Sequence, residues 1–139
     1  MRLLLLLGLL QSSFAFSNQV EIFDVEIELP NYCKLLVDPS VKIKNHVRYI
    51  CDSYGPVNQS YFVTFDKPDN VEFKTASPLQ KMVSKSTKSY SSFDFYGYVY
   101  ERENGNGSLH ANYFCSEELC LSIVGTTSAL GDSVLKQLQ

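Results

Sequence analysis

Residues 93–115 read FDFYGYVYERENGNGSLHANYFC, and this stretch decides the fold. Aromatic side chains crowd its first arm, and two Asn-Gly steps occupy its middle. Asn-Gly steps tolerate the positive φ angles that tight hairpin turns require. The stretch therefore predicts a β-hairpin that turns at residues 104–107, with Asn106 exposed at its tip.

Strand patterns occur on both sides of this hairpin. Residues 20–29 alternate apolar and acidic side chains and predict one half-buried strand, with a bulge at Phe23 and Asp24 where the alternation slips. Further strands are predicted over residues 34–37, 41–50, 61–65, 71–75 and 121–124, with 61–65 and 71–75 paired as a hairpin. About seven short strands separated by turns favour an all-β, antiparallel β-sandwich.

Two short helices complete the prediction. Ser77 and Pro78 suit the N-cap and first position of a short helix near residues 78–84. Residues 84–92, rich in Ser, Thr and Lys, are typical of a linker. In the tail, Leu130, Val134 and Leu138 recur every four residues and predict a short C-terminal helix.

The beginning of the chain indicates export. The chain has 139 residues and begins with the sequence MRLLLLLGLLQSSFAFS. This stretch contains a positively charged Arg2, then a short apolar run, and then small residues just before Phe16. Residues 1–15 therefore predict a secretory signal peptide, and residues 16–139 a single disulfide-stabilised β-rich domain. The apolar run has about half the ~20 residues needed to span a bilayer, so we expect an extracellular protein without membrane insertion.

Charge and motifs narrow the expected functions. The formal net charge of −3 argues against a nucleic-acid partner, which requires concentrated positive charge. The chain has two histidines, His46 and His110, and no Gly-x-Ser-x-Gly motif, so no catalytic residue and no cofactor is assigned. The sequence leaves the oligomeric state open.

The four cysteines, Cys33, Cys51, Cys115 and Cys120, predict two disulfides, because an even count is typical of exported domains. No Cys-x-x-Cys pair is present, so no metal site is expected. Two pairings remain open. We favour Cys51–Cys115 with Cys33–Cys120, since long bridges restrain the unfolded chain more strongly. The alternative is the local pairing of Cys33–Cys51 with Cys115–Cys120.

One tetrapeptide resembles a known family. Asn112-Tyr113-Phe114-Cys115 is similar to the Tyr-x-Cys corner of immunoglobulin domains, and Cys51 lies 64 positions earlier, as in the inter-sheet pair of that family. The resemblance implies an immunoglobulin-like β-sandwich.

These observations predict a secreted non-enzymatic binding module that recognises an extracellular protein or glycan. Candidate partner-binding residues are Tyr96, Tyr98 and Tyr100, since tyrosine is enriched at interfaces, although packing inside the fold is the other use for these rings. The alternative function is a small secreted enzyme or enzyme inhibitor with its working groups on loops. Asn58 and Asn106 begin N-glycosylation sequons.

A stripe of basic residues is a second candidate binding surface. It consists of Lys42, Lys44, His46 and Arg48, which alternate along the strand predicted over residues 41–50. Such a stripe could bind a sulfated glycan. We expect instead that the acidic strand over residues 20–29 lies beside it and neutralises it, because opposite charges across a ladder are favourable.

Overall fold

A computed structural model describes residues 18–36 and 47–139. The predicted signal peptide, Lys42, Lys44 and His46 lie outside the described residues. The elements of the described part are β1 (Asn18–Ile22), β2 (Val25–Leu29), β3 (Cys33–Leu35), β4 (Val47–Ser53), β5 (Gln59–Asp66), a 3-10 turn (Pro68–Asn70), β6 (Gln80–Ser89), β7 (Asp94–Arg102), β8 (Ser108–Cys115), β9 (Cys120–Gly125) and α1 (Ala129–Leu138).

The main layer is a seven-stranded antiparallel sheet in the order β3-β4-β5-β9-β8-β7-β6, and β1 pairs with β2 in a separate two-stranded sheet. The mainly antiparallel β prediction is confirmed. The hairpin of residues 93–115 is confirmed as well: Phe95 lies opposite Phe114, and Asn106 is exposed in the turn. Gly105 and Gly107 have φ angles of 72° and 104°, which glycine adopts readily.

One face of the large sheet, which we call the core face, is covered by α1 and by the β1–β2 hairpin. Its buried side chains include Tyr61, Val63, Phe114, Leu121 and Ile123. The hairpin contributes Ile22, Ile27 and Leu29, and the helix contributes Leu130, Val134 and Leu138, which confirms the predicted C-terminal helix. The side-chain amide of Gln137 accepts from the Glu28 N–H (2.7 Å) and donates to the Glu28 carbonyl (3.2 Å), and so ties α1 to β2.

The opposite face, the tyrosine face, carries Tyr96, Tyr98, Tyr100 and Tyr113. An extended segment, residues 71–77, crosses it, and we call this segment the strap. The Phe73 ring packs edge-on against Tyr113 with centroids 4.6 Å apart. The Lys74 N–H donates to the Tyr113 hydroxyl at 2.7 Å, and the Tyr100 hydroxyl donates to the Lys74 carbonyl. The strap therefore covers this face over β7 and β8.

The acidic stretch of residues 20–29 is two strands rather than one, and the bulge prediction is wrong. Phe23 and Asp24, at φ 52° and 62°, form a two-residue turn between β1 and β2. The predicted pairing with the basic strand is also wrong for the part of that strand that is described, residues 47–50, because β1 and β2 pair with each other while β4 belongs to the large sheet. Burying Ile27 stabilises by about 1.5–3 kcal/mol, whereas charge pairs contribute about 0.2–1 kcal/mol, so burial decides the pairing.

Residues 71–92 were the least predictable part of the chain. The helix predicted near residues 78–84 and the linker predicted over 84–92 are wrong, because residues 80–89 form strand β6. The hairpin of residues 61–65 with 71–75 is wrong too, because β5 pairs with β4 and β9, and 71–75 belongs to the strap. Strand β6 pairs with the next strand, β7, and β5 pairs with β4 and β9, so strand pairing overrides the local side-chain pattern in both places.

Both disulfides join directly opposed residues on neighbouring strands. Cys33 on β3 bonds to Cys51 on β4, and Cys115 on β8 bonds to Cys120 on β9. The favoured long-range pairing is therefore wrong, and the local alternative is correct. A long disulfide restrains the unfolded chain more strongly, but it can form only where the two Cβ atoms lie close together. Here strand pairing brings the local cysteine partners together instead. Cys115 of the Tyr-x-Cys motif therefore bonds to a neighbouring strand of the same sheet, and not to a second sheet as in the immunoglobulin pair.

Because Tyr100 and Tyr113 anchor the strap through their hydroxyls, we expect the free energy of unfolding to fall at alkaline pH. Burial raises the pKa of Tyr100 above 10.0, and it raises the pKa of Tyr113 as well, although the Lys74 N–H bond opposes that rise. Above about pH 10 the folded state therefore binds more protons than the unfolded state, and the free energy of unfolding falls as pH rises.

We expect Tyr100→Phe to cost about 1 kcal/mol at neutral pH, from the lost hydrogen bond, and to make the alkaline decline shallower. Urea unfolding monitored by circular dichroism across about pH 8 to 11 measures both effects. Tyr54→Phe is the matched control, because Tyr54 is 85% exposed. An unchanged alkaline slope in Tyr100→Phe would contradict the assignment.

Candidate functional site

Three turns meet at one end of the large sheet and enclose a cleft of about 730 Å³. They are the β1–β2 turn at Phe23 and Asp24, the β6–β7 turn at residues 90–93, and the β8–β9 turn at residues 116–119. We call this the acidic cleft. Its volume falls within the range of about 300–1,000 Å³ typical of ligand sites.

One wall of the acidic cleft is a stack of three aromatic rings. Phe93, which is 4% exposed, stacks on Phe23 with centroids 5.2 Å apart and on Tyr90 with centroids 4.7 Å apart. Phe23 holds this position at a φ of 52°, a left-handed conformation that costs about 1–2 kcal/mol for a residue other than glycine. The stack and the β1–β2 pairing hold this unfavourable turn, which places the ring in the wall.

The other feature of the acidic cleft is its charge. Four exposed carboxylates line it, those of Asp24, Asp94, Glu117 and Glu118, and no lysine or arginine of the described residues does. Ser116 fixes the turn that carries two of them: its N–H donates to the Leu119 carbonyl (2.8 Å), and its hydroxyl accepts from the N–H groups of Glu118 (3.2 Å) and Leu119 (3.1 Å).

The carboxylates do not form a metal site in this part of the chain. Across residues 18–36 and 47–139, no three His, Cys, Asp or Glu side chains are grouped so that they could hold a metal ion. Aromatic faces and separate carboxylates instead suit an organic cation, since a cation over an aromatic ring is attracted by about 0.5–2 kcal/mol. The chain contains an example beside the cleft: Lys88 Nζ lies 4.8 Å from the Tyr90 ring centroid.

The structure separates the three predicted partner-binding tyrosines. Tyr96 lines the acidic cleft. Tyr98 is half-buried and packs against Phe73 and Tyr113. Tyr100 is 1% exposed and anchors the strap. Two of the three rings therefore serve mainly to pack the tyrosine face, and one reaches the cleft.

The remaining candidate side chains lie away from the cleft. His110 Nε2 is 3.1 Å from the Ser108 hydroxyl, but within the described ranges no carboxylate is hydrogen-bonded to the ring to orient it. Asn58 and Asn106 are exposed in the β4–β5 and β7–β8 connections. Strand register places both connections at the end of the sheet opposite to the acidic cleft.

Sequence reasoning missed the aromatic stack. Tyr90 and Phe93 share one turn, but Phe23 comes from a turn distant in sequence, and it reaches Phe93 because β1–β2 docks on the core face. One signal in the sequence could have indicated this turn. The alternation of apolar and acidic residues breaks at Phe23-Asp24, and such a break is as consistent with a turn as with a bulge.

These features define a disulfide-linked antiparallel β domain with an acidic, aromatic cleft at one end. No protein-family model matches the chain, and neither curated proteins nor solved structures give a match. In the part of the chain that the structure describes, no helix is long and apolar enough to cross a membrane.

Proposed function

We propose that this protein is a secreted, non-enzymatic binding module whose acidic cleft binds a lysine or arginine side chain of an extracellular protein partner. The observation that carries the proposal is the composition of the cleft, in which an aromatic stack and four carboxylates occur without a lining cation. An anionic glycan would meet four like charges there, so a basic protein segment is the better fit.

Two further observations support export. Residues 1–15 have the organisation of a signal peptide, and both disulfides are of the kind that persists in oxidising compartments. We propose that Asn58 and Asn106 carry N-linked glycans. Because both lie at the end of the sheet opposite to the cleft, glycans there would leave the cleft accessible.

The proposal predicts that a small arginine peptide binds and that its neutral analogue does not. We expect acetyl-Ala-Arg-Ala-amide to bind the mature protein more tightly than the citrulline peptide by about tenfold or more, because citrulline keeps the shape of arginine without its charge. Isothermal titration calorimetry or NMR titration gives both dissociation constants. Binding should weaken with added salt, since exposed charges are screened.

Variants locate the binding site. Asp94→Asn with Glu117→Gln should remove most of the preference for arginine over citrulline. Glu101→Gln with Glu103→Gln is the matched control, because it makes the same change in charge at the opposite end of the sheet. Equal binding of the two peptides, or equal losses in both double variants, would refute the proposal.

A further inference from the structure

The tyrosine face has a second half that no other segment among residues 18–36 and 47–139 covers fully, since Phe62 remains 49% exposed there. The strap covers β7 and β8, and beyond it a groove of about 430 Å³ lies over β4, β5 and β9. We call it the basic groove. Its lining includes Arg48, Ser60, Phe62, Lys74, Leu109 and Val124.

The floor of the basic groove is apolar. Phe62 lies on a strand that is paired on both sides, yet its ring is 49% exposed. Val124 lies directly opposite Phe62 across the β5–β9 ladder, and Leu109 lies on the neighbouring strand β8. Phe62 and Val124 therefore present apolar surface against which a hydrocarbon chain can pack.

Two cations border this floor, and the fold positions both of them. The Arg48 Nε donates to the Thr64 hydroxyl at 3.3 Å, which holds the guanidinium on the groove side of the sheet. Lys74 belongs to the strap, and its backbone is fixed by Tyr100 and Tyr113. The lining of the described chain contains no Asp or Glu, although Ser60 at one end donates to Asp52 at 2.6 Å.

In a chain whose net charge is −3, a groove with two cations and no lining carboxylate is complementary to an anion. The apolar floor favours an anion that also carries a hydrocarbon body. We propose that the basic groove binds a free long-chain carboxylate, with the chain over Phe62 and Val124 and the carboxylate at Arg48 and Lys74. This groove and the acidic cleft have no lining residue in common, so the proposal does not depend on the function assigned to the cleft.

The test uses 11-(dansylamino)undecanoic acid and its methyl ester as fluorescent probes. We expect the acid to bind the mature protein and the ester to bind about tenfold more weakly or worse, since the ester keeps the hydrocarbon chain and loses the charge. Arg48→Gln with Lys74→Gln should reduce binding of the acid to the level of the ester. Phe62→Ser should weaken both probes.

The matched control is Lys67→Gln with Lys81→Gln, which removes two exposed lysines outside the groove and should leave both dissociation constants unchanged. Equal affinity for acid and ester, or an equal loss in the two double variants, would overturn the proposal. Vesicles containing phosphatidylserine distinguish a lipid headgroup from a free acid. Binding to these vesicles without binding of the free probe would overturn it as well.

Discussion

Gly125→Val is expected to destabilise the fold by about 4 kcal/mol or more, at the upper end for overpacking. Gly125 ends β9 and lies between β5 and β8, opposite Tyr61 and His110. A Cβ atom at this position would lie 2.2 Å from Tyr61 Cδ1 and 2.5 Å from the Ser60 carbonyl oxygen. The Tyr61 ring is completely buried and its hydroxyl bonds to Thr127, so it has little room to move away.

Urea unfolding monitored by circular dichroism measures the loss, and Gly125→Ala gives a smaller step in the same direction should the valine variant fail to fold. Gly55→Ala is the control, because no atom outside its immediate neighbours lies within 4 Å of the added Cβ. We expect it to change the free energy of unfolding by less than about 0.5 kcal/mol. A Gly125→Ala variant as stable as the control would show that β5 and β9 shift apart at low cost.

Local signals account for the parts of the fold that sequence analysis predicted. Residues 93–115 contain their own turn, and the C-terminal helix repeats its apolar residues every four positions. Both elements are specified by residues that are neighbours in the chain. The β1–β2 hairpin was half predicted: its alternation was visible, but Phe-Asp is an unusual pair for a turn that needs two positive φ angles.

Strand β6 shows why the remainder could not be predicted. Nine of its ten residues are exposed, and its sequence of Lys, Ser and Thr has no apolar face that would indicate a strand. Its pairing with β7 supplies the backbone hydrogen bonds, so the partner determines the structure. The strap is a similar case, since tyrosine hydroxyls on other strands hold it in place.

The candidate sites were less predictable than the fold. The acidic cleft combines turns from three hairpins, and the basic groove joins Arg48 on β4 to Lys74 on the strap. Arg48 was grouped with the lysines of the strand predicted over residues 41–50, because spacing along one strand reports only which side chains share a face. Which faces come together depends on the order of strands in the sheet, and turn signals do not specify that order.

Removal of the Cys33–Cys51 disulfide is expected to cost about 3 kcal/mol from loop closure alone, for a bridge spanning 18 positions. Cys33 and Cys51 are buried, at 1% and 0% exposure. The test variant is therefore Cys33→Ala with Cys51→Ala, because serine would bury a hydroxyl at each position. Lost packing adds to the cost. The three-residue strand β3 has β4 as its partner in the sheet and should separate from it first.

The second bridge provides the matched comparison. Cys115–Cys120 spans 5 positions, so Cys115→Ala with Cys120→Ala should cost only about 2 kcal/mol. Cys115 lines the acidic cleft, whereas Cys33 and Cys51 do not. At a temperature where both double variants remain folded, removing the shorter bridge should therefore weaken binding of the arginine peptide, and removing the longer one should not.

If the longer bridge proved the less stabilising, loop closure would not be the main contribution of these disulfides. If both variants bound the peptide equally, the β8–β9 turn would not be part of the binding site.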